Sequence, residues 1–327
     1  MQRTIRLAGS LLLLALTPAG CRDSSGHNSP PSAGATGVAA QRQTGGSGGK
    51  VQAQMKGVDF RIDPAVVLEI RNLRGELIPT REGQAPWFDE PATFLLHIDQ
   101  GEIAVTPASM SAILNQYVFT GPKAPIKDVE IEIAGNHLRQ SATLQKKIPV
   151  RATLEGELSA TADGKIRLHP TSIKAGNLPV KGLLDLLDIE LAELIHAQAS
   201  RGVSVVDNDL FLDPERLLPS PGIRGRVIAV RLEPDRIVQV FGAGGPAEAL
   251  KPGFPKAAHY MFFHGGELSF GKLTMHGADL QIIDEDPKDP FHFYLSQYAK
   301  QLVAGYSKTL PDKGLAAYMP DFDEVGR

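Results

Sequence analysis

From Val51 onward the chain is written mostly in short runs where apolar and polar residues alternate. Val129, Ile131 and Ile133 are interleaved with Asp128, Glu130 and Glu132. Ile148, Val150, Ala152 and Leu154 alternate with Pro149, Arg151, Thr153 and Glu155, and Leu158, Ala160 and Ala162 continue that pattern. "ADGK" (Ala162 to Lys165) is a turn signal before Ile166 and Leu168. Ile228, Val230 and Leu232 alternate with Ala229, Arg231 and Glu233. In "ELSFGKLTMHGADLQIID" (Glu267 to Asp284), Leu268 and Phe270 precede a change of phase at Gly271. Leu273 and Met275 follow it, and Ala278, Leu280 and Ile282 lie beyond Gly277. A period of two predicts antiparallel sheet with one apolar and one wet face. A phase change at a glycine predicts a bulge.

Helical spacing is rarer. "TPASMSAILNQYVF" (Thr106 to Phe119) places a capping threonine before a proline at the first helical position. In "KGLLDLLDIELAELIHAQAS" (Lys181 to Ser200), Leu183, Leu184, Leu187, Leu191, Leu194 and Ile195 fall within an arc of about 120°. Leu186 and Ile189 fall outside it, which predicts a kink or a two-part helix near Asp188. A third helix is expected around "HFYLSQYAKQLVAGY" (His292 to Tyr306), ending near Gly305. The segment Gly242 to Lys256 is the richest internal linker in glycine and proline. A main region over 51–242 is therefore expected, with strands and a helix over 243–327 completing the same domain. The fold class is α+β.

The first fifty residues read differently. Arg3 and Arg6 precede a ten-residue apolar core (Leu7 to Leu16), then Ala19, Gly20 and Cys21. That core is too short for an ordinary membrane span and has the layout of a secretory signal. Cys21 is the only cysteine in the 327 residues. The arrangement resembles a bacterial lipoprotein signal, although Pro18 stands where the usual box has Leu, Val or Ile. The resemblance implies a signal peptide over 1–20 and lipidation of Cys21, which would then hold the protein at a membrane. Residues 21–50 are rich in Ser, Gly and Pro and carry no aromatic residue, so they cannot bury enough apolar surface to fold. A flexible tether of this kind spans roughly 30 Å.

Composition narrows the function classes. The chain is 42% hydrophobic with a formal charge of -3, so no basic excess points to nucleic acid. A single cysteine excludes an intramolecular disulfide and a thiolate zinc site. No HExxH, phosphate-cradling glycine loop or serine elbow is present, and no catalytic residue or cofactor is expected. His259, His264 and His276 could meet if their strands pair, but strand-end or surface histidines are the expectation. Asp284, Glu285, Asp286 and Asp289 crowd "DEDPKDP". Oxygen-rich loops bind calcium, but the glycine-turned ligand loop is missing, so a solvated acidic turn is expected. Phe262, Phe263, Phe291, Phe293 and Tyr294 read as core rather than as a ligand box.

"GKIRLHPTSIKAGNLPVKGLLDLLDIELAELI" (Gly164 to Ile195) runs strand, short strand, then Leu-rich helix, with "GVSVVDNDLFLDPERLLP" (Gly202 to Pro219) and the strand to Val240 after it. This order resembles the tubular lipid-binding (TULIP) superfamily, including the LmeA-like phospholipid-binding proteins, over about Ser109 to Gly242. The resemblance implies a long twisted antiparallel sheet wrapped around one or two amphipathic helices, with an apolar duct for acyl chains or phospholipid. It places Leu183, Leu184, Leu187, Leu191, Leu194, Ile195, Ile228 and Val230 along that duct. The expected role is a non-enzymatic, lipid-binding envelope lipoprotein facing the periplasm. Arg22, rather than Asp, after Cys21 points to the outer membrane by analogy. Two other readings stand beside it: a structural or assembly lipoprotein docking an envelope protein partner, and an envelope hydrolase.

Overall fold

A computed structural model describes residues 50–145, 148–176, 178–179, 181, 201–242, 250–254, 256–310 and 314–325. In chain order the strands begin with β1 (Val51–Asp63), β2 (Val66–Pro79) and β3 (Phe94–Val105). Helix α1 (Pro107–Ile113) continues into a π-helical turn, Leu114–Val118. A meander follows: β4 (Ile126–Ala134), β5 (His137–Leu144), β6 (Val150–Ala160), β7 (Ile166–Ala175) and the short β8 (Leu178–Pro179). Next come β9 (Val203–Val206), β10 (Asp209–Leu212), the one-turn helix α2 (Pro214–Leu217), β11 (Gly222–Arg224), β12 (Val227–Glu233) and β13 (Arg236–Gly242). The last elements are β14 (Tyr260–Phe270), β15 (Leu273–Asp284), β16 (Phe291–Tyr294), α3 (Tyr298–Ala304), β17 (Tyr306–Thr309) and β18 (Leu315–Met319).

The chain is α+β, dominated by a curled and mostly antiparallel sheet. The larger sheet has the order β12-β13-β3-β2-β1-β14-β15-β18-β17, with β11 beside β3 and β16 beside β1. Three of its pairings are parallel: β1 with β16, β3 with β11, and β15 with β18. The smaller sheet runs β4-β5-β6-β7-β10-β9, with β8 on β7. One continuous apolar core joins both sheets, from Phe60 and Leu68 on the larger to Leu154 and Leu168 on the smaller. β14 is bonded to β1, so the strands beyond Gly242 extend the sheet that begins at Val51. The described residues belong to one compact unit.

Much of the alternation maps onto these strands. Val129 and Ile131 are buried on β4, and Ala152 and Leu154 on β6, while the acidic residues between Val129 and Ile133 stay exposed. "ADGK" is the turn between β6 and β7, where Gly164 adopts φ +87°. Thr106 caps α1 as expected: its hydroxyl accepts from Ser109 N at 2.9 Å. Outside, Arg71 bridges Glu102 and Glu233, and Arg231 reaches Glu102 at 2.5 Å, tying β2, β3 and β12 together.

Four expectations are corrected. Ile148 lies outside β6 and is 77% exposed. On β12 a bulge between Val227 and Ala229 buries Val227 and turns Ile228 outward, so Val230 and Leu232 alone keep the apolar phase. Gly271 is not a bulge. It is the first residue of a two-residue hairpin turn, at φ +58°, with Phe270 opposite Leu273. Finally, "FHFY" is not helical. Phe291 and Phe293 point into the core while His292 and Tyr294 do not, a period of two that aromatic residues favour in strands. The helix starts only after that strand and stops at Gly305.

Candidate functional site

Where the two sheets meet α1 and α2, packing leaves a small apolar cavity of about 20 Å³. The larger sheet contributes Leu68, Ile103, Val105, Ile223 and Phe241; α1 contributes Met110 and Ile113. Ile166 of β7, Pro214 and Leu217 of α2, and Leu218 close the other side. Gln239, directly opposite Ile103 on β13, is the one polar side chain of the lining, and it is buried. A space of this size holds about one water.

The sequence places each wall. Alternation on β3 and β13 sends Ile103 and Val105, and Gln239 and Phe241, to the inner face. The α1 cap fixes the start of the helix, so Met110 and Ile113, three residues apart, share its inward side. Asp213 caps α2 by accepting from Glu215 N, and Pro214 takes the first helical position. Arg201, the first residue described after the Leu-rich segment, donates to Val118 O at 2.9 Å and to Thr120 Oγ1 at 2.6 Å. It ties the start of the stretch leading into β9 to the turn that follows α1.

Of the residues expected along a duct, Leu183, Leu184, Leu187, Leu191, Leu194 and Ile195 lie outside the described residues, as does Cys21. Ile228 is exposed at the edge of the larger sheet and Val230 packs against the core beside it; neither lines the cavity. No apolar wall residue stands out in the sequence as a site: Ile166 reads as a strand position, Met110 and Ile113 as helix positions, and the others as ordinary core.

The histidines do not converge. His264 faces Asp279 at 3.8 Å and His276 faces Glu267 at 3.2 Å across the β14–β15 hairpin. His259 keeps a buried Nδ1 with no hydrogen-bond partner. Among the described residues no three His, Cys, Asp or Glu side chains are grouped to hold a metal ion. The acidic turn is not fully solvated: Asp284 is buried and its Oδ2 has no partner. Phe262, Phe263, Phe291 and Phe293 are buried core, and Tyr294 is half-buried. Among the described residues no helix is long and apolar enough to cross a membrane.

No family model matches the chain, and neither a curated protein nor a solved structure matches it.

Proposed function

We propose that this protein is an envelope lipoprotein, anchored through Cys21, that takes acyl chains or phospholipid between its two sheets in a TULIP-like manner. The observation that carries this reading is the apolar interlayer cavity with one buried amide, Gln239, in its wall. Burying an acyl chain there would contribute on the order of 10 kcal/mol of transfer free energy, at about 0.8 kcal/mol per methylene. The amide offers both a donor and an acceptor to a polar head. The cavity as it stands is far too small for such a chain, so binding requires α2 and Leu218 to move outward. α2 is a single turn, and no backbone ladder joins it to either sheet. It is the wall with the least to lose by moving.

Native mass spectrometry of residues 46–327 tests the reading directly: co-purifying lipid supports it, and an empty domain that binds no fluorescent fatty acid overturns it. Leu218→Trp should fill the mouth of the cavity and weaken fatty-acid binding at least tenfold, while the melting temperature stays within a few degrees. Equal binding in the variant would place the ligand elsewhere. The anchor has its own test. Cys21→Ser should move the protein from the membrane fraction to the soluble envelope fraction, and a variant still membrane-bound after a salt wash would refute lipidation as the anchor.

A further inference from the structure

One end of the larger sheet gathers ionisable side chains. Asp284 closes β15, with Oδ1 accepting from Asp286 N at 2.9 Å and Oδ2 buried without a partner. Its backbone N–H reaches the carbonyl of His259, the residue just before β14, at 3.3 Å. The C-terminal segment Pro320–Glu324 passes over the same end. Asp321, also buried, accepts from His292 N at 2.6 Å. Asp323 meets His292 Nδ1 at 3.2 Å, Gln301 Nε2 donates to Pro320 O at 3.0 Å, and Phe322 packs edge-on to Tyr294 at 4.7 Å.

The contacts that hold this segment depend on charge in one direction. The His292 imidazole lies among Asp59, at 3.4 Å, Asp321 and Asp323, so its positive form pulls the segment onto β1 and β16. Asp284 repels Asp321, Asp286 and Asp289 whenever it is ionised, and no lysine or arginine pairs with it. The other titratable groups around this end are His259 just before β14, Glu285 and Lys288 in the turn, and Glu324 beyond Asp321. Raising the pH therefore adds repulsion at Asp284 and removes attraction at His292.

We propose that Asp284, Asp321 and His292 form a pH-sensitive latch that holds the C-terminal segment down in acid and loosens it as pH rises. Burial holds the Asp284 carboxyl up at about 7, and the carboxylates beside His292 hold its imidazole up at about 9. The first step of release accordingly lies near neutrality and the second above it. Loosening frees His292 and Tyr294 on β16 from the segment that covers them.

Hydrogen exchange on the full chain, corrected for the intrinsic pH dependence of exchange, reads the latch. Protection of the amides of His292 and of residues 321–325 should fall about tenfold between pH 6 and pH 8.5, while β5 and β6 amides keep theirs. In Asp284→Asn that fall should shrink to less than about twofold. Asp321→Asn keeps an acceptor for His292 N and removes the same repulsion, so it should behave alike. It serves as the second variant if Asp284→Asn does not fold. Protection that stays flat with pH in the parent overturns the proposal, as does a fall of equal size in both variants.

Discussion

Phe88→Ala should be among the most destabilising single substitutions in this protein, at about 3–5 kcal/mol. Phe88 sits in the loop between β2 and β3, yet its ring is 2% exposed. It lies 5.2–6.4 Å from the rings of Phe94, Phe263, Phe270, Phe293 and Tyr298. Those partners come from β3, β14, β16 and α3, so one side chain gathers elements far apart in the chain. The loop is held in place by Phe88 N donating to Ser269 O at 3.1 Å, and by Tyr298, whose hydroxyl meets both Asp89 and Gly271 N. Truncation would remove the ring's own burial and leave five aromatic neighbours facing a void, each pair worth about 0.5–1.5 kcal/mol beyond area. Against a total stability of about 5–15 kcal/mol this is a large fraction. Urea denaturation followed by far-ultraviolet circular dichroism would measure it. A loss below about 1 kcal/mol would show that the cluster repacks. Trp87→Ala, one residue away but half-buried, should cost less.

The position of Phe88 illustrates what was legible in the sequence. Strands with a buried and a wet face announce themselves by alternation, and β4, β6 and β7 lie where the pattern put them. The α1 cap was equally plain, because threonine before proline has few other local roles. Long-range pairing is not written in any local pattern. Nothing in "QAPWFDEPA" says that its phenylalanine will meet β14 and β16. The same holds for β16. "FHFY" is too short to separate a strand from the first turn of the helix that follows, and its parallel pairing with β1 decides the matter. Ile228 fails for a related reason. A bulge reverses which residues face inward, and β12 has no glycine or proline to mark it.

The candidate site was less legible than the fold. The cavity wall draws on β2, β3, α1, β7, α2, β11 and β13, and each contributes ordinary core residues whose convergence is purely tertiary. Gln239 alone carried a signal. It is a polar residue on the inward phase of an otherwise apolar strand, between Ile237 and Phe241. A break in phase of that kind deserves weight at the sequence level, because a buried amide costs stability unless something meets it. Asp284 is the opposite case. It stands in an acidic run that reads as solvated, but it is also the last residue of a strand whose inner face holds Leu280 and Ile282, and that phase carries it inward.

Asp284→Asn should therefore gain on the parent as pH rises, being more stable by about 2 kcal/mol at pH 8 and less stable by about 2 kcal/mol near pH 4. The carboxyl ionises at 3.8 in its ordinary setting and at about 7 in the folded chain, chiefly because burial disfavours the charge. A folded-state value raised above the unfolded one means that the native protein holds its proton more tightly. That contribution is fully present below about pH 4 and is lost progressively up to pH 7. Above pH 7 the folded protein carries a penalty of up to about 4 kcal/mol, relative to an acid that ionises freely. Asparagine keeps the oxygen that accepts from Asp286 N and never ionises, but it places an amide N–H₂ where Oδ2 had no partner. That loss offsets roughly half the gain, at about 1–3 kcal/mol. His292 shifts in the same sense. Its value is raised to about 9, so its share of stability is complete below about pH 6.5 and gone above pH 9. The stabilities of the two proteins should thus cross between pH 4 and pH 8, with the parent the more stable in acid and the variant above the crossing. Parallel curves from pH 4 to pH 8 would show that Asp284 ionises no differently folded than unfolded, and that its buried oxygen is neutralised by another route.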